Sequence, residues 1–307
     1  MPKRGTAGEP DISRRPRWLW PTLALPGTVW MVVFFAVPFY GVMAVAGGRD
    51  NLLFNTRDPK WNPLAWKWDA FSAVWQGFKN GEFGDPFLRT FEYVVLSIVI
   101  CFIIGYPVAY YVARYGGKRR GLLLGLLLAP FWISYLMRML AWVNLLQDDG
   151  YVNVVLRDLH VVSHPIDWLD GRPYTVVLGL VYGYVPFLIL PLYAALDRID
   201  IRLLEASRDL GVSPWRTFVK VTLPLSRQGV LAGAAITALP MFGDYYTNTL
   251  LSGSPKTNMI GNQIQTAVQT NSTRGIGDAL VIVLTMMLTV LMFYYLYSSN
   301  AAAKELR

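Results

Sequence analysis

The sequence has few charged residues and almost no cysteine. Asp, Glu, Lys and Arg together make up 16% of the 307 residues, whereas hydrophobic residues make up 54%. This composition, with a mean hydropathy of +0.35, argues against a soluble domain. The single cysteine, Cys101, excludes an intrachain disulfide, and its position inside an apolar run predicts an ordinary packing role.

The sequence also lacks the residue combinations on which hydrolytic or metal chemistry depends. His160 and His164 are four residues apart, but Val161 stands where a zinc hydrolase carries its glutamate. The segment GSPKTN at 253–258 resembles part of a phosphate loop, but Pro255 replaces the glycine that must precede the lysine. The sequence therefore predicts no catalytic residue, no metal site and no cofactor in this chain.

Six long apolar runs account for the composition. Each has about 20 or more mostly apolar residues, which is the length that a helix needs to cross about 30 Å of hydrocarbon. The runs occupy residues 19–46, 90–113, 121–146, 174–196, 229–251 and 277–299. The sequence therefore predicts an all-α, polytopic membrane protein with six transmembrane helices.

Lysine and arginine are concentrated in alternate connecting segments. They number five in residues 1–17, four in 114–120, six in 197–228 and two near the C-terminal end. The short loops on the opposite side contain four. Because basic loops stay on the cytoplasmic side, this bias predicts that both termini are cytoplasmic. The formal net charge of +8 is thus a topology signal and does not predict a nucleic-acid surface.

The division of the chain follows from these spans. Residues 1–17 are polar and proline-rich, unlike a signal peptide. The predicted parts are a disordered cytoplasmic tail (1–17), a first transmembrane helix with a long extracytoplasmic loop (18–89), a five-helix core with a cytoplasmic loop at 197–228 (90–300), and a cytoplasmic C-terminus (301–307). Tryptophans predict that the outer loop is folded, either on the membrane or as a platform for a delivering protein: Trp61, Trp66, Trp68 and Trp75.

Small residues predict close helix packing in the fourth and fifth spans. Gly179 and Gly183 are four residues apart in the fourth span, as are Gly229 and Gly233 in the fifth. Small residues at this spacing let two helix backbones approach each other. The same spans contain three prolines, at which membrane helices bend where neighbouring groups satisfy the freed carbonyls: Pro186, Pro191 and Pro240.

A polar module separates the fourth span from the fifth. In its first part, Leu203, Ala206 and Leu210 share one face of a predicted amphipathic helix. Gly211 follows this helix, at a position where glycine adopts the left-handed conformation at little cost. The module therefore begins with a helix that ends at a glycine turn.

The second helix of the module is predicted to be short and aromatic. Ser213 predicts its N-cap and Pro214 its first residue. The sequence VTLP at 221–224 is expected to end it before the fifth span begins. One side of the helix carries three apolar residues, Trp215, Phe218 and Val219. Such a helix either lies among lipid headgroups or fills a groove in a soluble partner.

The module resembles the EAA loop in the permease subunits of binding-protein-dependent ABC importers. The resemblance rests on Glu205-Ala206-Ser207, Gly211 and VTLP at 221–224, with Ser207 standing where the third residue is often alanine. It covers about residues 88–300 and implies the type I ABC importer permease fold. In that family the loop docks on a separate ATPase subunit. The ATPase-coupling residues implied by the resemblance are Glu205, Ala206, Gly211, Ser213, Pro214, Trp215 and Phe218.

The resemblance also implies partners and a location. The partners are two ATP-binding subunits, which bind ATP and magnesium, a second homologous permease subunit and an extracytoplasmic substrate-binding protein. The chain itself is then a non-catalytic permease subunit in the bacterial cytoplasmic (inner) membrane, in contact with lipid. Transport is expected to follow alternating access driven by ATP binding and hydrolysis in the partner subunits.

Two further segments resemble the spermidine/putrescine branch of these permeases. They are PFWISYLMRMLAW at 130–142 and GDYYTNTLLSGSPKTNMIGNQIQ at 243–265. A polyamine is a flexible polycation, so its path should present carboxylates and aromatic faces to ammonium groups. Asp244 is the first candidate, because an intramembrane acid normally faces a cavity or a partner. The other substrate-path candidates are Tyr245, Tyr246, Trp132, Tyr135 and Glu92.

Alternatives are open for the residues and for the function. Arg138 lies at a depth in the third span similar to that of Asp244, so the two could form a structural ion pair. Glu92 could lie at the interface without a role in transport. The same class of importer could carry ferric iron, an oxyanion or a phosphonate instead of a polyamine. A transporter driven by an ion gradient is a further alternative.

Overall fold

Helices form most of the protein. The computed structural model describes residues 19–51 and 56–305, so the predicted tail at 1–17 lies outside the described residues. The chain begins with α1 (Leu19–Met31) and α2 (Val37–Ala46), which a π-helical turn at Val32–Ala36 joins into one segment. This segment is the first predicted span, and most of its apolar side chains are exposed.

The predicted outer loop is folded. Strands β1 (Arg49–Asn51) and β2 (Thr56–Asp58) form a short antiparallel hairpin, and α3 (Asp69–Lys79) follows after a 3₁₀ turn. The indole nitrogen of Trp66 donates to the carbonyl of Lys60 at 2.7 Å, which fixes the connection between them. The prediction of a folded loop is therefore confirmed, whereas its role as a membrane contact or a platform stays a prediction.

Arg57 ties the hairpin to the end of the first span. Its Nε donates to the carbonyl of Val45 at 2.9 Å and its Nη2 donates to the carbonyl of Ala46 at 3.0 Å. The last carbonyls of a helix have no partner within the helix, so a cation here satisfies them and complements the helix dipole.

The second and third predicted spans differ in shape. Four helices follow the loop: α4 (Gly84–Tyr115), α5 (Arg120–Leu128), α6 (Tyr135–Leu146) and α7 (Tyr151–Asp158). The single long helix α4 forms the second span. The third span, predicted as continuous, is instead broken at residues 133–134, with an angle of 85° between the two helical parts.

The break has a local cause. Pro130 lies in a 3₁₀ turn at the end of α5, and Ile133 is extended (φ −88°, ψ 137°). Ser134 then caps α6, because its side chain accepts from the backbone N–H of Met137 at 3.5 Å. A capping residue adopts a non-helical conformation while it satisfies a free helix donor, so α6 starts in a new direction.

The remainder of the chain is helical and is described through residue 305. Its helices are α8 (Pro173–Asp197), α9 (Ile201–Asp209), α10 (Pro214–Thr217), α11 (Leu223–Leu225), α12 (Arg227–Phe242), α13 (Tyr246–Leu251), α14 (Ile260–Gln269) and α15 (Arg274–Glu305). The predicted all-α class is confirmed, with the hairpin as a small addition.

Four helices in the described part of the chain are long and apolar enough to cross a membrane, or five if the bent pair is one span. The fifth predicted span, 229–251, consists of the 16-residue α12 and the six-residue α13. These are separated by the non-helical residues 243–245, so the count of six spans stays a prediction.

The core lies where α8 packs against α4 and α12. Cys101 is fully buried there, in agreement with its predicted packing role. Gly229 and Gly233 make the contact between α12 and α8 possible, and Gly179 and Gly183 let α13 and Tyr135 of α6 approach α8. A Cβ atom at Gly183 would lie 2.6 Å from Cε2 of Tyr135, and one at Gly233 would lie 3.2 Å from the carbonyl oxygen of Leu188. The predicted close approach of helices at these glycines is therefore confirmed.

Candidate functional site

The buried carboxylate of Asp244 is the centre of a hydroxyl cluster. Asp244 lies between α12 and α13 and is 6% exposed. The hydroxyl groups of Tyr135, Tyr184 and Thr247 all donate to its Oδ2, each at 2.8 Å. The backbone N–H of Thr247 donates to Oδ1 at 2.9 Å. Three helices, α6, α8 and α13, thus bring donors to one carboxylate.

Glycines on α8 allow this convergence. Because Gly183 has no side chain, the ring of Tyr135 lies directly against α8. One turn earlier, a Cβ atom at Gly179 would lie 2.6 Å from Cγ2 of Thr247. The ring centroids of Tyr135 and Tyr184 are 5.7 Å apart. The small residues that predicted helix packing therefore also position the cluster.

The cluster, defined as Asp244, Tyr135, Tyr184 and Thr247, has the chemistry to hold an ammonium group. The hydroxyls of Tyr135 and Thr247 also form a 2.5 Å hydrogen bond with each other, and hydroxyl oxygens have lone pairs that can accept from a ligand. An ammonium group has three N–H donors and no acceptor. It can donate to the carboxylate and to tyrosine oxygens at the same time, and the aromatic faces attract its charge.

Arg138 lies beside the cluster without pairing to it. Its side chain is 8% exposed, and its guanidinium carbon lies 4.2 Å from the ring centroid of Phe131 and 5.4 Å from that of Tyr135. No salt bridge joins Arg138 to Asp244, whereas among the described residues Arg120 and Asp197 do form one at 3.1 Å. The alternative of a structural Arg138–Asp244 ion pair is therefore wrong for this conformation.

The remaining sequence-predicted path residues lie apart from the carboxylate. Tyr245 and Tyr246 follow Asp244 directly and stack on each other with ring centroids 4.2 Å apart. Trp132 is 87% exposed at the break between α5 and α6. Glu92 is exposed on α4. Of the predicted aromatic candidates, Tyr135 is the one whose hydroxyl reaches Asp244.

Sequence reasoning missed Tyr184. It follows Gly183, which was interpreted only as a packing residue, and it precedes Pro186 by two positions. A polar aromatic next to a small residue inside an apolar span is a usable signal, because its hydroxyl must find a partner when it is buried. The partner here is Asp244, 60 residues later in the chain.

Amide side chains hold the segment that follows the cluster. Asn262 on α14 donates through Nδ2 to the carbonyl of Tyr245 at 3.1 Å and accepts at Oδ1 from the backbone N–H of Met259 at 3.1 Å. Asn248 on α13 donates to the same Oδ1 at 3.2 Å. These bonds fix α13 and α14 relative to the break that presents Asp244.

The two histidines belong to an exposed loop after α7. His160 has a left-handed backbone conformation (φ 55°) just beyond the helix, and both His160 and His164 are exposed. In the described part of the chain, no group of three or more histidine, cysteine or acidic residues is arranged to hold a metal ion.

The polar module between α8 and α12 has the predicted turn. Gly211 adopts the left-handed conformation with φ 78° after α9. The hydroxyl of Ser213 accepts from the backbone N–H of Arg216 at 3.5 Å, and Pro214 is the first residue of α10. The predicted glycine turn and N-cap are confirmed.

The prediction that the second helix ends at VTLP is wrong. Helical structure continues from α10 through the π-helical turn Phe218–Thr222 into α11 and, after Ser226, into α12. A proline inside a helix lacks an N–H and collides with the carbonyl of the preceding turn. The wider π-helical turn ends at Thr222, two residues before Pro224, so the chain passes this proline without a break.

Phe218, another predicted coupling residue, is half-buried and packs against α4. Its ring centroid lies 5.4 Å from that of Tyr106 and 6.0 Å from that of Tyr110, both on α4. The hydroxyl of Tyr106 also forms a 2.8 Å hydrogen bond with that of Ser226, which precedes α12. The module is thus fastened to the second span as well as to the fifth.

The other predicted coupling residues lie on the surface. The exposed members of this set are Glu205, Ala206, Gly211, Ser213, Pro214 and Trp215. The apolar face predicted for α9 is also uncovered in this chain, with Leu203 50% and Leu210 84% exposed, whereas Leu204 is the buried leucine. An exposed apolar face on a capped, rigid turn is typical of a surface that another protein covers.

Comparison with known proteins agrees with this arrangement. The spermidine/putrescine transport system permease protein PotB of Haemophilus influenzae is 38% identical over 173 residues, which are 56% of this chain and 59% of that protein. PotB of Escherichia coli K12 is 34% identical over 178 residues, 58% of this chain and 64% of that protein. The matched region therefore spans about six-tenths of these curated relatives.

Solved structures share the fold. A chain in the crystal structure of a bacterial alginate ABC transporter, in complex with an alginate pentasaccharide-bound periplasmic protein, superimposes with a TM-score of 0.68 at 18% identity, over 95% of this chain and 96% of that chain. A sequence model of binding-protein-dependent transport system inner membrane components matches residues 103–304, well over half of the sequence. The chain belongs to this family of inner-membrane transport components.

Proposed function

We propose that the chain is the non-catalytic permease subunit of an ATP-driven ABC importer and carries polyamines such as spermidine or putrescine. The exposed, capped module between α8 and α12 is the observation that carries the first part of this proposal. The names of the relatives and the carboxylate–tyrosine cluster support the second part. The partners are two ATP-binding subunits, a second homologous permease and an extracytoplasmic binding protein.

In this proposal the module receives motion from an ATPase subunit. Glu205, Gly211 and Trp215 lie on the exposed surface that the partner would contact. The continuous helical path from α10 to α12 supports transmission into the fifth span, because a helix transmits displacement along its axis. Both termini and the module are cytoplasmic in this arrangement, as the distribution of lysine and arginine predicts.

The cluster around Asp244 provides the cation contact. When the path opens, an ammonium group donates to Asp244 and to the hydroxyl oxygens of Tyr135 and Tyr184. When the path closes again, the hydroxyl donors already present stabilise the carboxylate without substrate. The site can therefore bind a cation and release it during each cycle of alternating access.

Asp244→Asn tests the cation contact. The substitution keeps the side-chain shape and removes the charge, and a charged hydrogen bond is worth about 1.5–3 kcal/mol. Spermidine and putrescine uptake by the reconstituted complex should fall by about tenfold or more. Asp149→Asn, at an exposed outer position, is the matched control and should leave uptake unchanged.

The same assay separates the alternatives. Uptake that is unchanged in Asp244→Asn contradicts the cation contact and favours another cargo, such as ferric iron, an oxyanion or a phosphonate. Uptake that persists when the ATP-binding subunits carry an inactivating substitution contradicts the importer class and favours a transporter driven by an ion gradient.

A further inference from the structure

Arg138 has hydrogen-bonding capacity that the protein does not use. Two of its nitrogen atoms, Nε and Nη1, are buried and have no acceptor. Its guanidinium group lies against three aromatic rings, with ring centroids 4.2 Å (Phe131), 5.4 Å (Tyr135) and 6.0 Å (Tyr182) from its carbon atom. The aromatic faces stabilise the positive charge but accept none of its in-plane N–H hydrogens.

An unpaired arginine at this depth requires an explanation. Buried charges are costly unless they are paired, and intramembrane ionisable residues normally mark a substrate path or a partner. The carboxylate of Asp244, in contrast, already accepts four hydrogen bonds. The groups that lack a partner here are therefore the N–H donors of Arg138, which need an acceptor. An ammonium ion has no acceptor to offer them.

Tyr135 joins the two charged groups. Its hydroxyl donates to Asp244 at 2.8 Å, while the face of the same ring lies against Arg138. The negative group therefore lies at the hydroxyl end of one aromatic side chain and the positive group against its face, and Gly183 lets that ring approach α8. Such an arrangement presents one group of each charge to a single small ligand.

We propose that the importer accepts a second class of substrate, which carries an anionic group as well as an ammonium group, so that a carboxylate binds Arg138 while the ammonium binds Asp244. The substrate class is an aliphatic amino-carboxylate, such as an ω-amino acid or a carboxylated polyamine. This inference rests on the proposed role of Asp244 and adds a substrate class to the polyamines that the proposed importer carries. Arginine suits the role because its planar N–H groups match the geometry of a carboxylate.

A competition experiment on the unmodified protein tests the anionic group. The purified complex, without its binding protein, is equilibrated with labelled putrescine, and three unlabelled four-carbon ligands compete for binding. These are 4-aminobutyrate, which adds a carboxylate, putrescine itself, and butylamine, which lacks a second charged group. 4-Aminobutyrate should compete at a concentration about tenfold or more below that of butylamine, since a carboxylate–guanidinium contact adds a charged hydrogen bond.

Substitutions assign the contact to Arg138. Arg138→Gln should raise the concentration of 4-aminobutyrate needed for half-competition by about tenfold or more, with putrescine binding retained. Arg138→Lys keeps the charge and should fall between the two. Arg157→Gln, at an exposed position in the last turn of α7, is the matched control and should behave like the unmodified complex.

Two results overturn the proposal and a third separates it from the proposed function. Equal competition by 4-aminobutyrate and butylamine in the unmodified complex shows that no anionic group is recognised. An equal loss of both ligands, or loss of complex assembly, in Arg138→Gln shows that Arg138 supports the structure or pairs with an acidic side chain of a neighbouring subunit. Putrescine binding that is unchanged by Asp244→Asn contradicts the cation site itself, and with it both proposals.

Discussion

At the scale of single residues, the chain holds two opposite charges within its apolar core by different means. Asp244 is stabilised by hydroxyl and backbone donors, and Arg138 by aromatic faces. Each ionisable group in a membrane interior is costly, so one that is kept there without an ion pair is expected to serve a ligand or a partner. The two residues therefore place a buried carboxylate and a buried guanidinium group beside the same ring, that of Tyr135.

Tyr184→Phe tests the tyrosine acceptor at this scale. The substitution removes one donor to Asp244 and one acceptor for an ammonium group, but it keeps the ring that packs 5.7 Å from Tyr135. Because hydrogen bonds to charged groups contribute about 1.5–3 kcal/mol, putrescine affinity should fall by about tenfold or more. Equilibrium binding to the purified complex measures the change.

Tyr182→Phe is the matched control for this substitution. Tyr182 lies two residues away on α8, and its ring packs against Trp142 at 5.3 Å rather than on the Asp244 carboxylate. Its loss of a hydroxyl should leave putrescine affinity unchanged. A similar decrease in putrescine affinity in both variants would mean that the hydroxyls support the structure of α8 rather than contact the ligand.

The sequence was sufficient for Asp244 and Tyr135 but not for Tyr184. An acid within an apolar run can be recognised from the sequence alone. The free-energy cost of placing it in a membrane arises wherever the fold positions it. The role of Tyr184 depends on α8 meeting α6 and the α12–α13 break in space, and no local pattern encodes that meeting. The same reason explains why Arg138 and Asp244 could not be assigned as paired or unpaired from their depths alone.

At the scale of elements, the polar module between α8 and α12 is attached to two spans. Phe218 packs against Tyr106 and Tyr110 of α4, and Ser226 is hydrogen-bonded to Tyr106 at the start of α12. With these contacts, the proposed function predicts that a movement of α10 displaces α4 and α12 together. The π-helical turn between α10 and α11 is a local departure from α-helical geometry of the kind often found at functional positions.

Tyr106→Phe tests this attachment. The substitution removes the buried 2.8 Å hydrogen bond to Ser226 and keeps the ring contact with Phe218. Ser226 still donates to the carbonyl of Leu223, so the fold should be retained at a cost of about 1 kcal/mol. If the bond couples the two spans, substrate uptake per ATP hydrolysed should fall by about fivefold while basal hydrolysis by the assembled complex is unchanged.

The control for this prediction is Tyr110→Phe, which keeps the same kind of ring contact with Phe218 and does not touch Ser226. Its ratio of uptake to hydrolysis should match that of the unmodified complex. An unchanged ratio in Tyr106→Phe would place the transmission of motion elsewhere in the module.

Element boundaries were predictable where a local signal sets them. The glycine turn at Gly211 and the cap at Ser213 depend on residues within one turn, and both are as predicted. The prediction that the second helix of the module ends at 221–224 was wrong because Pro224 was interpreted as a helix stop. A π-helical turn instead lets the helix pass this proline. The break at 133–134 was missed because apolar composition continues across it.

At the scale of the whole molecule, α8 is the element on which the others assemble. It packs against α4, α12 and α13, and glycines lie at the closest approaches on both sides. In a membrane, helix association depends on such close packing rather than on the exclusion of water. The side of the membrane on which each exposed polar loop lies is a separate question. Only the distribution of lysine and arginine predicts it.

Cysteine labelling tests that arrangement, and the chain is suited to it because its native Cys101 is fully buried. In a Cys101→Ser background, Leu64→Cys marks the outer loop at a residue that is 96% exposed, and Lys118→Cys marks the exposed turn after α4. A membrane-impermeant maleimide should label the first variant in spheroplasts and the second in inverted vesicles, because basic segments remain cytoplasmic. Detergent should make both fully reactive, which controls for exposure. Labelling of both variants from one side would contradict an odd number of membrane crossings between residues 64 and 118. It would also contradict the assignment of the basic module to the cytoplasmic side, where ATP is available.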